Sequence, residues 1–326
     1  MGTSSRKKIL TKPWSSSNGF FLHNSKFESV CSVPQATGGI VNREIICEST
    51  RHSARALRRR DGLSAVASLA LHSPEYLMEA AELALYMFLT CAFPTLLQHS
   101  ASPVRHFIPN VIARRVAMGL AMGLTIVAIV MSPWGKQSGG HFNPAITLTF
   151  YRLGRVEFWD FWFYVAAQFL GAVGGVCVAR YVLQGALSDD AVSYAVTVPG
   201  VFGRSVAFVA ELTISFILMI TILVVTNRAR LERYTPFFAG SLIAIFITFE
   251  TPLSGMSTNP ARTFSSALHA GYWQALWIYF VAPTLGMLVA AEVYLRARGG
   301  AAPYCGKLHH SNNKRCIFHH AESRAS

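Results

Sequence analysis

The sequence predicts an all-α membrane protein with six transmembrane helices and two re-entrant half-helices, arranged as an inverted repeat. Three observations support this fold class: six apolar blocks, two Asn-Pro-Ala triplets, and matching segments in the two halves of the chain. Of the 326 residues, 52% are apolar and 14% are charged, whereas a soluble domain carries about 25% charged residues. The composition therefore favours a protein embedded in a membrane.

Six blocks approach the length of about 20 mostly apolar residues that a transmembrane helix needs. They cover residues 76–97, 115–132, 158–183, 204–226, 234–249 and 273–294. The fifth block is the shortest, so its boundaries are the least defined. A single block could be a core helix of a soluble protein, but six blocks with so few charges indicate a multi-pass membrane protein.

The basic residues predict the orientation of the spans. With an even number of spans both termini lie on one side, and 23 of the 29 Lys and Arg residues then fall on that side. Because Lys and Arg are enriched in cytoplasmic loops, we expect both termini in the cytoplasm, with the protein in the cell membrane. The net charge of +13 is interpreted as contact with anionic lipid, and we expect no nucleic-acid partner.

This pattern divides the chain into three parts. Residues 1–74 are predicted to be a basic, mostly disordered cytoplasmic extension, and residues 75–296 form the membrane domain, with halves at about 75–183 and 204–296. Residues 297–326 are predicted to be a basic cytoplasmic tail. The tail contains several Cys and His residues, but we interpret it as disordered and expect no metal site.

Matching segments in the two halves indicate an internal repeat. Residues 81–83 (Ala-Glu-Leu) match 210–212, Asn143 matches Asn259, and 164–171 match 279–286, at offsets of 129, 116 and 115 residues. Each half has three spans, an odd number, so the second half must enter the membrane from the opposite side. An inverted repeat of this kind places a shared site near the middle of the bilayer.

The two triplets are predicted to begin short helices that enter the membrane from opposite faces. They are Asn143-Pro144-Ala145 and Asn259-Pro260-Ala261. Asn is a favoured N-cap, and Pro at the first helical position loses no hydrogen bond. Ten residues of helix rise about 15 Å, half of a hydrocarbon core of about 30 Å. The positive helix ends would therefore meet in the middle, where they disfavour cations and protons while the amides donate to neutral molecules.

At these residues the chain resembles the aquaporin, or major intrinsic protein, family over about residues 74–294. The similar segments are Gly-Gly-His-Phe-Asn-Pro-Ala-Ile-Thr-Leu at 139–148, Thr-Asn-Pro-Ala-Arg-Thr-Phe at 258–264, the two Ala-Glu pairs, and the Ala-Gln-x-x-Gly-Ala of the third span. The resemblance implies a homotetramer with one pore per subunit. It also implies a channel, not an enzyme, that conducts water and small neutral solutes passively in both directions without a cofactor.

The resemblance further assigns four residues to the selectivity constriction of the pore. Arg262 directly follows the second triplet and would repel cations, and the other three positions fall on Met122, Ile247 and Met256. Water-selective members usually carry an aromatic residue and a histidine at the first two positions, so the constriction of this chain is more apolar and more flexible. Packing is the alternative role for Met122 and Ile247.

Two carboxylates inside spans, Glu82 and Glu211, are expected to support the re-entrant loops. Irregular backbone at membrane depth must form its hydrogen bonds within the protein, and the family pattern gives this role to the two glutamates. A proton relay is the alternative, because ionisable groups within a membrane are often functional. His141 is interpreted as a packing residue of the first loop, near the cytoplasmic vestibule.

Several functions stay open at this stage. Conduction of water leads, supported by Thr263 and Ala267, where the glycerol facilitators of the family usually carry an acidic and a basic residue. The apolar constriction favours another neutral solute, such as glycerol, ammonia, hydrogen peroxide or a metalloid acid. A proton-coupled secondary transporter and a non-conducting scaffold are the remaining alternatives.

Overall fold

The structure, a computed structural model, describes residues 63–320, and the regular secondary structure of this part of the chain is helical. Residues 1–62, most of the predicted N-terminal extension, and residues 321–326 lie outside the described residues. The six spanning helices and the two half-helices are numbered in chain order: α1 Ala65–Gln98, α2 Val111–Met131, α3 Pro144–Arg152, α4 Phe158–Leu183, α5 Gly203–Thr226, α6 Thr235–Phe249, α7 Pro260–Ala270 and α8 Leu276–Ala297.

Five of these helices, α1, α2, α4, α5 and α8, are long and apolar enough to cross a membrane. The sixth, α6, has 15 residues and rises only about 22 Å. Short helical turns, Glu232–Tyr234 and Thr251–Ser254, lie directly before and after it. Large apolar side chains such as Leu77, Leu124 and Leu170 are exposed on the outer surface. The predicted all-α membrane fold is therefore confirmed.

Helix α1 begins at Ala65, ten residues earlier than the predicted start of the membrane domain, and Pro74 lies inside it. Ser64 caps its first turn by accepting a hydrogen bond from the amide of Ala67 at 3.3 Å. The early turns are held by Asp160 of α4, whose Oδ1 lies 2.8 Å from Nδ1 of His72 and 2.6 Å from the hydroxyl of Tyr76. Contact with α4, which no local sequence signal reveals, thus extends the helix.

Glycine residues allow the paired helices of each half to pack at very short distance. In the first half, a Cβ atom at Gly171 of α4 would lie 2.1 Å from the carbonyl oxygen of Ala80 in α1. In the second half, a Cβ atom at Gly286 of α8 would lie 2.3 Å from the carbonyl oxygen of Leu212 in α5. The two halves therefore repeat the same helix contact.

These contacts correct the register of the repeat in the first span. Ala80 and Leu212 are 132 residues apart (212 − 80), whereas the match of the two Ala-Glu-Leu segments gave an offset of 129. The structural counterpart of Glu211 is consequently Glu79, and not Glu82. Three residues are close to one helical turn, so both alignments place a carboxylate on the same helix face. The match of the Ala-Glu-Leu segments alone therefore aligned the two helices one turn away from their structural register.

Helices α2 and α6 pack against each other across the boundary between the halves. A Cβ atom at Gly123 would lie 2.5 Å from the carbonyl oxygen of Gly240, and a Cβ atom at Gly240 would lie 2.5 Å from that of Gly123. This reciprocal contact is what an inverted repeat produces where its pseudo-two-fold axis passes between equivalent helices.

The C-terminal segment (residues 298–320) contains no helix, but it packs on one end of the bundle. Lys307 is 2% exposed and Leu308 is also 2% exposed. The amide of Leu308 donates to the carbonyl oxygen of Gly139 at 3.0 Å, and the amide of His319 donates to that of Arg155 at 3.1 Å. The interpretation of this tail as disordered is therefore wrong for the described residues, because it has buried side chains and partners on the membrane domain.

The glycine contact between α1 and α4 can be tested by comparing Gly171→Ala with Gly174→Ala. We expect Gly171→Ala to destabilise the protein by about 1–3 kcal/mol, because the added Cβ overpacks the contact with Ala80. Gly174, one turn away, has no atom within 4 Å of its added Cβ, and Gly174→Ala should leave stability unchanged or slightly raised. Thermal unfolding in one detergent measures both, and equal melting temperatures would contradict the close contact.

Candidate functional site

The two half-helices begin at the predicted asparagines, each of which caps its own helix. Oδ1 of Asn143 accepts a hydrogen bond from the amide of Ala145 at 2.9 Å at the start of α3. Oδ1 of Asn259 accepts from the amides of Ala261 at 3.1 Å and Arg262 at 3.3 Å at the start of α7. Each asparagine therefore has a fixed orientation, which leaves its side-chain nitrogen free to face the opposite half.

The side-chain nitrogens of the asparagines bind each other's loops. Nδ2 of Asn143 donates to the carbonyl oxygen of Thr258 at 2.8 Å, and Nδ2 of Asn259 donates to that of Phe142 at 2.8 Å. This crossed pair fixes the two helix N-termini against one another. Each amide carries two hydrogens, so one hydrogen of each remains to donate to a molecule beside the pair.

A cavity lies beside this crossed pair and holds about 30 Å³ of space for the centres of water molecules. One water needs about 10–15 Å³ measured in this way, so the cavity accommodates a short file of waters. Its wall is largely apolar, with the two asparagine amides and a few hydroxyl and imidazole groups as the polar part. The lining residues are Tyr86, Ile126, His141, Phe142, Asn143, Ile146, Leu218, Ile222, Ala239, Ile243, Ser257, Thr258, Asn259 and Leu308.

The four residues assigned to the constriction are placed around the second triplet and on two spans. Met122 in α2 is buried, and its sulfur lies 4.0 Å from the hydroxyl oxygen of Thr90. Ile247 in α6 and Met256 are also buried, and Nη1 of the half-buried Arg262 donates to Oγ1 of Thr197. Within residues 63–320, none of the four is among the lining residues of this cavity, so their role as a filter stays a prediction.

In the second half, one carboxylate holds the loop that precedes α7. Glu211 accepts hydrogen bonds from the hydroxyl of Ser254 at 2.8 Å and from the amides of Ser257 at 2.6 Å and Thr258 at 2.8 Å. These amides are buried and outside any helix, so without Glu211 they would be unsatisfied at considerable cost. The geometry is that of the predicted loop-supporting role.

In the first half, two carboxylates accept hydrogen bonds from the loop that precedes α3. Glu79, which the sequence interpretation missed, accepts from the amides of His141 at 2.9 Å and Phe142 at 2.7 Å. Glu82 accepts only a side-chain hydrogen bond, from the hydroxyl of Ser138 at 2.9 Å. The expectation that Glu82 binds loop backbone is therefore corrected: Glu79 binds it. The spacing of Glu79, three residues before Glu82 and on the same helix face, is the signal that could have revealed it.

Two tyrosines complete the equivalence of the loops. The hydroxyl of Tyr164 in α4 donates to the carbonyl oxygen of Ser138 at 2.6 Å. The hydroxyl of Tyr279 in α8 donates to the carbonyl oxygen of Ser254 at 2.5 Å. Each loop thus has its amides bound by a glutamate on one helix and a carbonyl bound by a tyrosine on the partner helix.

His141 connects the first loop to the C-terminal segment. Its Nε2 lies 2.7 Å from the carbonyl oxygen of Gly306, so this nitrogen carries the hydrogen and donates it. Its ring stacks on Phe150 at 5.1 Å and on Phe318 at 5.3 Å between ring centroids. His141 therefore packs the loop as expected, but the partner that completes its environment comes from the tail.

The C-terminal segment also contributes Leu308 to the cavity wall, a contribution that the sequence did not indicate. Near it, the Sγ atoms of Cys305 and Cys316 lie 3.6 Å apart. The hydrogen bond from Cys305, followed by that from the backbone of Phe318 and the charge of Lys307, lowers the pKa of the Cys316 thiol. The two cysteines and the buried Lys307 thus lie in the same part of the tail as Leu308.

Comparison with known proteins gives a consistent result. The family model described as Major intrinsic protein matches residues 68–294. Aquaporin NIP2-3 of Zea mays is 34% identical over 194 residues, which are 59% of this chain and 62% of the relative. Nodulin-26 of Glycine max is 28% identical over 260 residues, 79% of this chain and 89% of the relative. The alignment thus spans less than two thirds of the maize relative.

Among solved structures, the aquaglyceroporin from Plasmodium falciparum is similar with a TM-score of 0.55 and 19% identity. The match covers 68% of this chain and 95% of that structure. At this level of identity the likeness concerns the fold alone, and it agrees with the arrangement of six spans and two half-helices.

The different roles of the two glutamates in the first half can be tested by comparing Glu79→Gln with Glu82→Gln. Both oxygens of Glu79 accept from N–H groups, since Oε2 also accepts from Nε2 of Gln168 at 2.8 Å. A glutamine there must place its NH₂ against another donor, at a cost of about 1–3 kcal/mol. Oε2 of Glu82 has no partner among the described residues, so Glu82→Gln can keep the bond to Ser138.

We therefore expect a clear fall in melting temperature for Glu79→Gln and a smaller change for Glu82→Gln. Both variants are measured as purified protein in the same detergent, with monodispersity checked by size-exclusion chromatography. A larger fall in melting temperature for Glu82→Gln than for Glu79→Gln would contradict this prediction, because the loop would then depend on Glu82.

Proposed function

The chain belongs to the major intrinsic protein family, and we propose that it is a membrane channel that conducts water passively and in both directions. The observation that carries this proposal is the crossed pair of hydrogen bonds between Asn143 and Asn259 beside a narrow cavity. The pair presents amide donors to a neutral molecule that already fits the space. The maize relative that carries the name Aquaporin NIP2-3 supports the same class of solute.

Exclusion of protons and ions follows from the charges at this pair. The N-termini of α3 and α7 meet there, and each carries a partial positive charge of roughly half an elementary charge. A cation or protonated water in the cavity would face both helix ends, and none of the described residues that line the cavity carries a carboxylate to act as counter-ion. An anion would lose its hydration shell against a largely apolar wall. Neutral solutes avoid both costs.

We propose the cell membrane as the location, with both termini in the cytoplasm, and a homotetramer as the assembly. The distribution of Lys and Arg along the sequence supports the orientation. Side chains on the outer surface of the bundle, such as Leu77 and Leu170, are apolar and exposed in the single chain, so they suit contact with lipid or with other subunits.

The apolar constriction supports a second candidate, a facilitator for another neutral solute such as glycerol, ammonia, hydrogen peroxide or a metalloid acid. A filter formed by Met122, Ile247 and Met256 would have apolar side chains. Such a filter would give water no advantage over a solute that is less polar than water. A proton-coupled transporter has less support, because Glu82 and Glu211 are both engaged by the loops. A coupling carboxylate would have to release those bonds in each cycle.

The conduction path can be tested with Ala239→Phe, which places an aromatic ring on the cavity wall. We expect water permeability of reconstituted vesicles to fall to about one tenth of wild type or less, because the cavity admits only a few water molecules. The matched control is Ala166→Phe, since Ala166 lies on α4 with an exposed side chain. It should retain permeability within about a factor of two.

Stopped-flow light scattering measures both variants after quantification of the protein in each vesicle sample. Wild-type permeability equal to that of empty vesicles would overturn the proposal of water conduction. Equal permeability of the two variants would instead place the path elsewhere.

The solute can be tested with a panel of glycerol, ammonia, hydrogen peroxide and a metalloid acid, comparing wild type with the double variant Met122→Phe, Ile247→His. Phe at position 122 is bulkier than Met, and His at position 247 is more polar than Ile. If these residues form the filter, the double variant should reduce flux of the larger solutes by about tenfold while water flux persists. Uptake of each solute into vesicles is the measurement. Unchanged ratios of solute to water flux would remove Met122 and Ile247 from the filter.

A further inference from the structure

Three metal-binding side chains of the C-terminal segment lie together in the structure. The ligand atoms of Cys305, Cys316 and His320 all lie within 4.8 Å of one another. Cys305 is buried, Cys316 is half-buried and His320 is exposed. None of them contributes to the crossed asparagine pair or to the wall of the cavity, so the proposed conduction does not explain why they converge.

The distance between the thiols suits a shared ion better than a direct bond. Two sulfur atoms bound to one tetrahedral zinc ion at about 2.3 Å are about 3.8 Å apart, and the Sγ atoms of Cys305 and Cys316 are 3.6 Å apart. A disulfide bond would require about 2.05 Å. Two sulfurs and an imidazole nitrogen form the donor set that soft or borderline ions such as Zn²⁺ prefer.

We propose that Cys305, Cys316 and His320 bind a divalent metal ion of the zinc type, which fastens the C-terminal segment over one end of the cavity. The exposed side of the cluster, at His320, leaves the fourth position of a tetrahedral ion to a water molecule. The two cysteines close a loop of the tail, residues 305–316, and the ion would hold that loop as a single unit.

The loop held by the ion is the part of the tail that touches the cavity. Leu308 lies on the cavity wall, and its amide donates to the carbonyl oxygen of Gly139 at 3.0 Å. Nζ of the buried Lys307 donates to the carbonyl oxygens of Lys136 at 2.8 Å and Arg315 at 2.6 Å. Lys307 thus connects the membrane domain to both sides of the loop. An ion at the cysteines would therefore stabilise the covering arrangement.

The functional consequence rests on the proposed function: with the ion bound, the tail closes one end of the pore, and removal of the ion opens it. A ligand that binds only the fastened arrangement stabilises that arrangement by mass action. The ion would in this way lower conductance without touching the asparagine pair.

Binding can be tested on the full-length protein, purified in detergent, reduced, incubated with Zn²⁺ and freed of excess metal. Elemental analysis should find about one tail-dependent zinc per chain in wild type. The double variant Cys305→Ser, Cys316→Ser and the single variant His320→Ala should lose it, while the control Cys31→Ser, Cys47→Ser keeps it. Cobalt substitution should give a thiolate-to-cobalt charge-transfer band that is absent from Cys305→Ser, Cys316→Ser.

Fastening is tested separately by trypsin, which cleaves after Lys307, Lys314 and Arg315. Zinc should slow cleavage at these sites at least about fivefold in wild type and in the control, and leave it unchanged in Cys305→Ser, Cys316→Ser. In vesicles, a chelator should raise water permeability of wild type several-fold and leave that double variant unaffected.

The metal and protease measurements do not depend on conduction, so they decide the site even if the channel proposal fails. A zinc content that is equal in wild type and the tail variants, or a Cys305–Cys316 disulfide found by mass spectrometry of the isolated protein, would overturn the metal site. If zinc binds but changes neither the cleavage of the tail nor the water permeability of a channel that conducts, the proposal that the tail closes the cavity would be overturned.

Discussion

Backbone that leaves helical geometry inside a membrane must find all of its hydrogen bonds within the protein, and the structure depends on how two loops meet this requirement. The amides at the tip of the second loop bind Glu211, and those of the first bind Glu79. Tyr164 and Tyr279 hold carbonyl groups of the same loops from the partner helices. Because the loops are fixed, the asparagines that follow them are fixed too, and the cavity obtains amide donors in a constant position.

Close helix packing is the condition under which these short hydrogen bonds can form. Gly171 and Gly286 bring α4 and α8 against the carbonyl groups of α1 and α5, within one residue of the loop-binding carboxylates Glu79 and Glu211. A side chain at either glycine would separate the helix that carries the glutamate from the helix that carries the tyrosine. The two halves thus share the same arrangement of a glycine, a glutamate and a tyrosine around one loop. This arrangement is more similar between the halves than the surrounding sequence is.

The parts of the fold that local chemistry determines could be predicted, and the parts that depend on distant contacts could not. The N-cap role of Asn143 and Asn259 needs only the residues of the triplet and its following turn, and both half-helices begin as expected. The choice between Glu79 and Glu82 needs the contact of α1 with α4, which lies about 90 residues away in sequence. The ordered tail needs partners such as Gly139, more than 150 residues away, and a basic composition gives no indication of them.

The same long-range contact makes the tail part of the cavity wall. His141 donates to the carbonyl oxygen of Gly306, and its other ring nitrogen lies 3.1 Å from Oγ1 of Thr147 in α3. If the tail left this site, Nε2 of His141 would lose its acceptor and the apolar side chain of Leu308 would leave the cavity wall. That end of the cavity would then gain an unpaired N–H donor beside the crossed asparagine pair and lose its apolar cover. Both changes favour the entry of water, so the position of the tail and the hydration of the cavity are physically coupled.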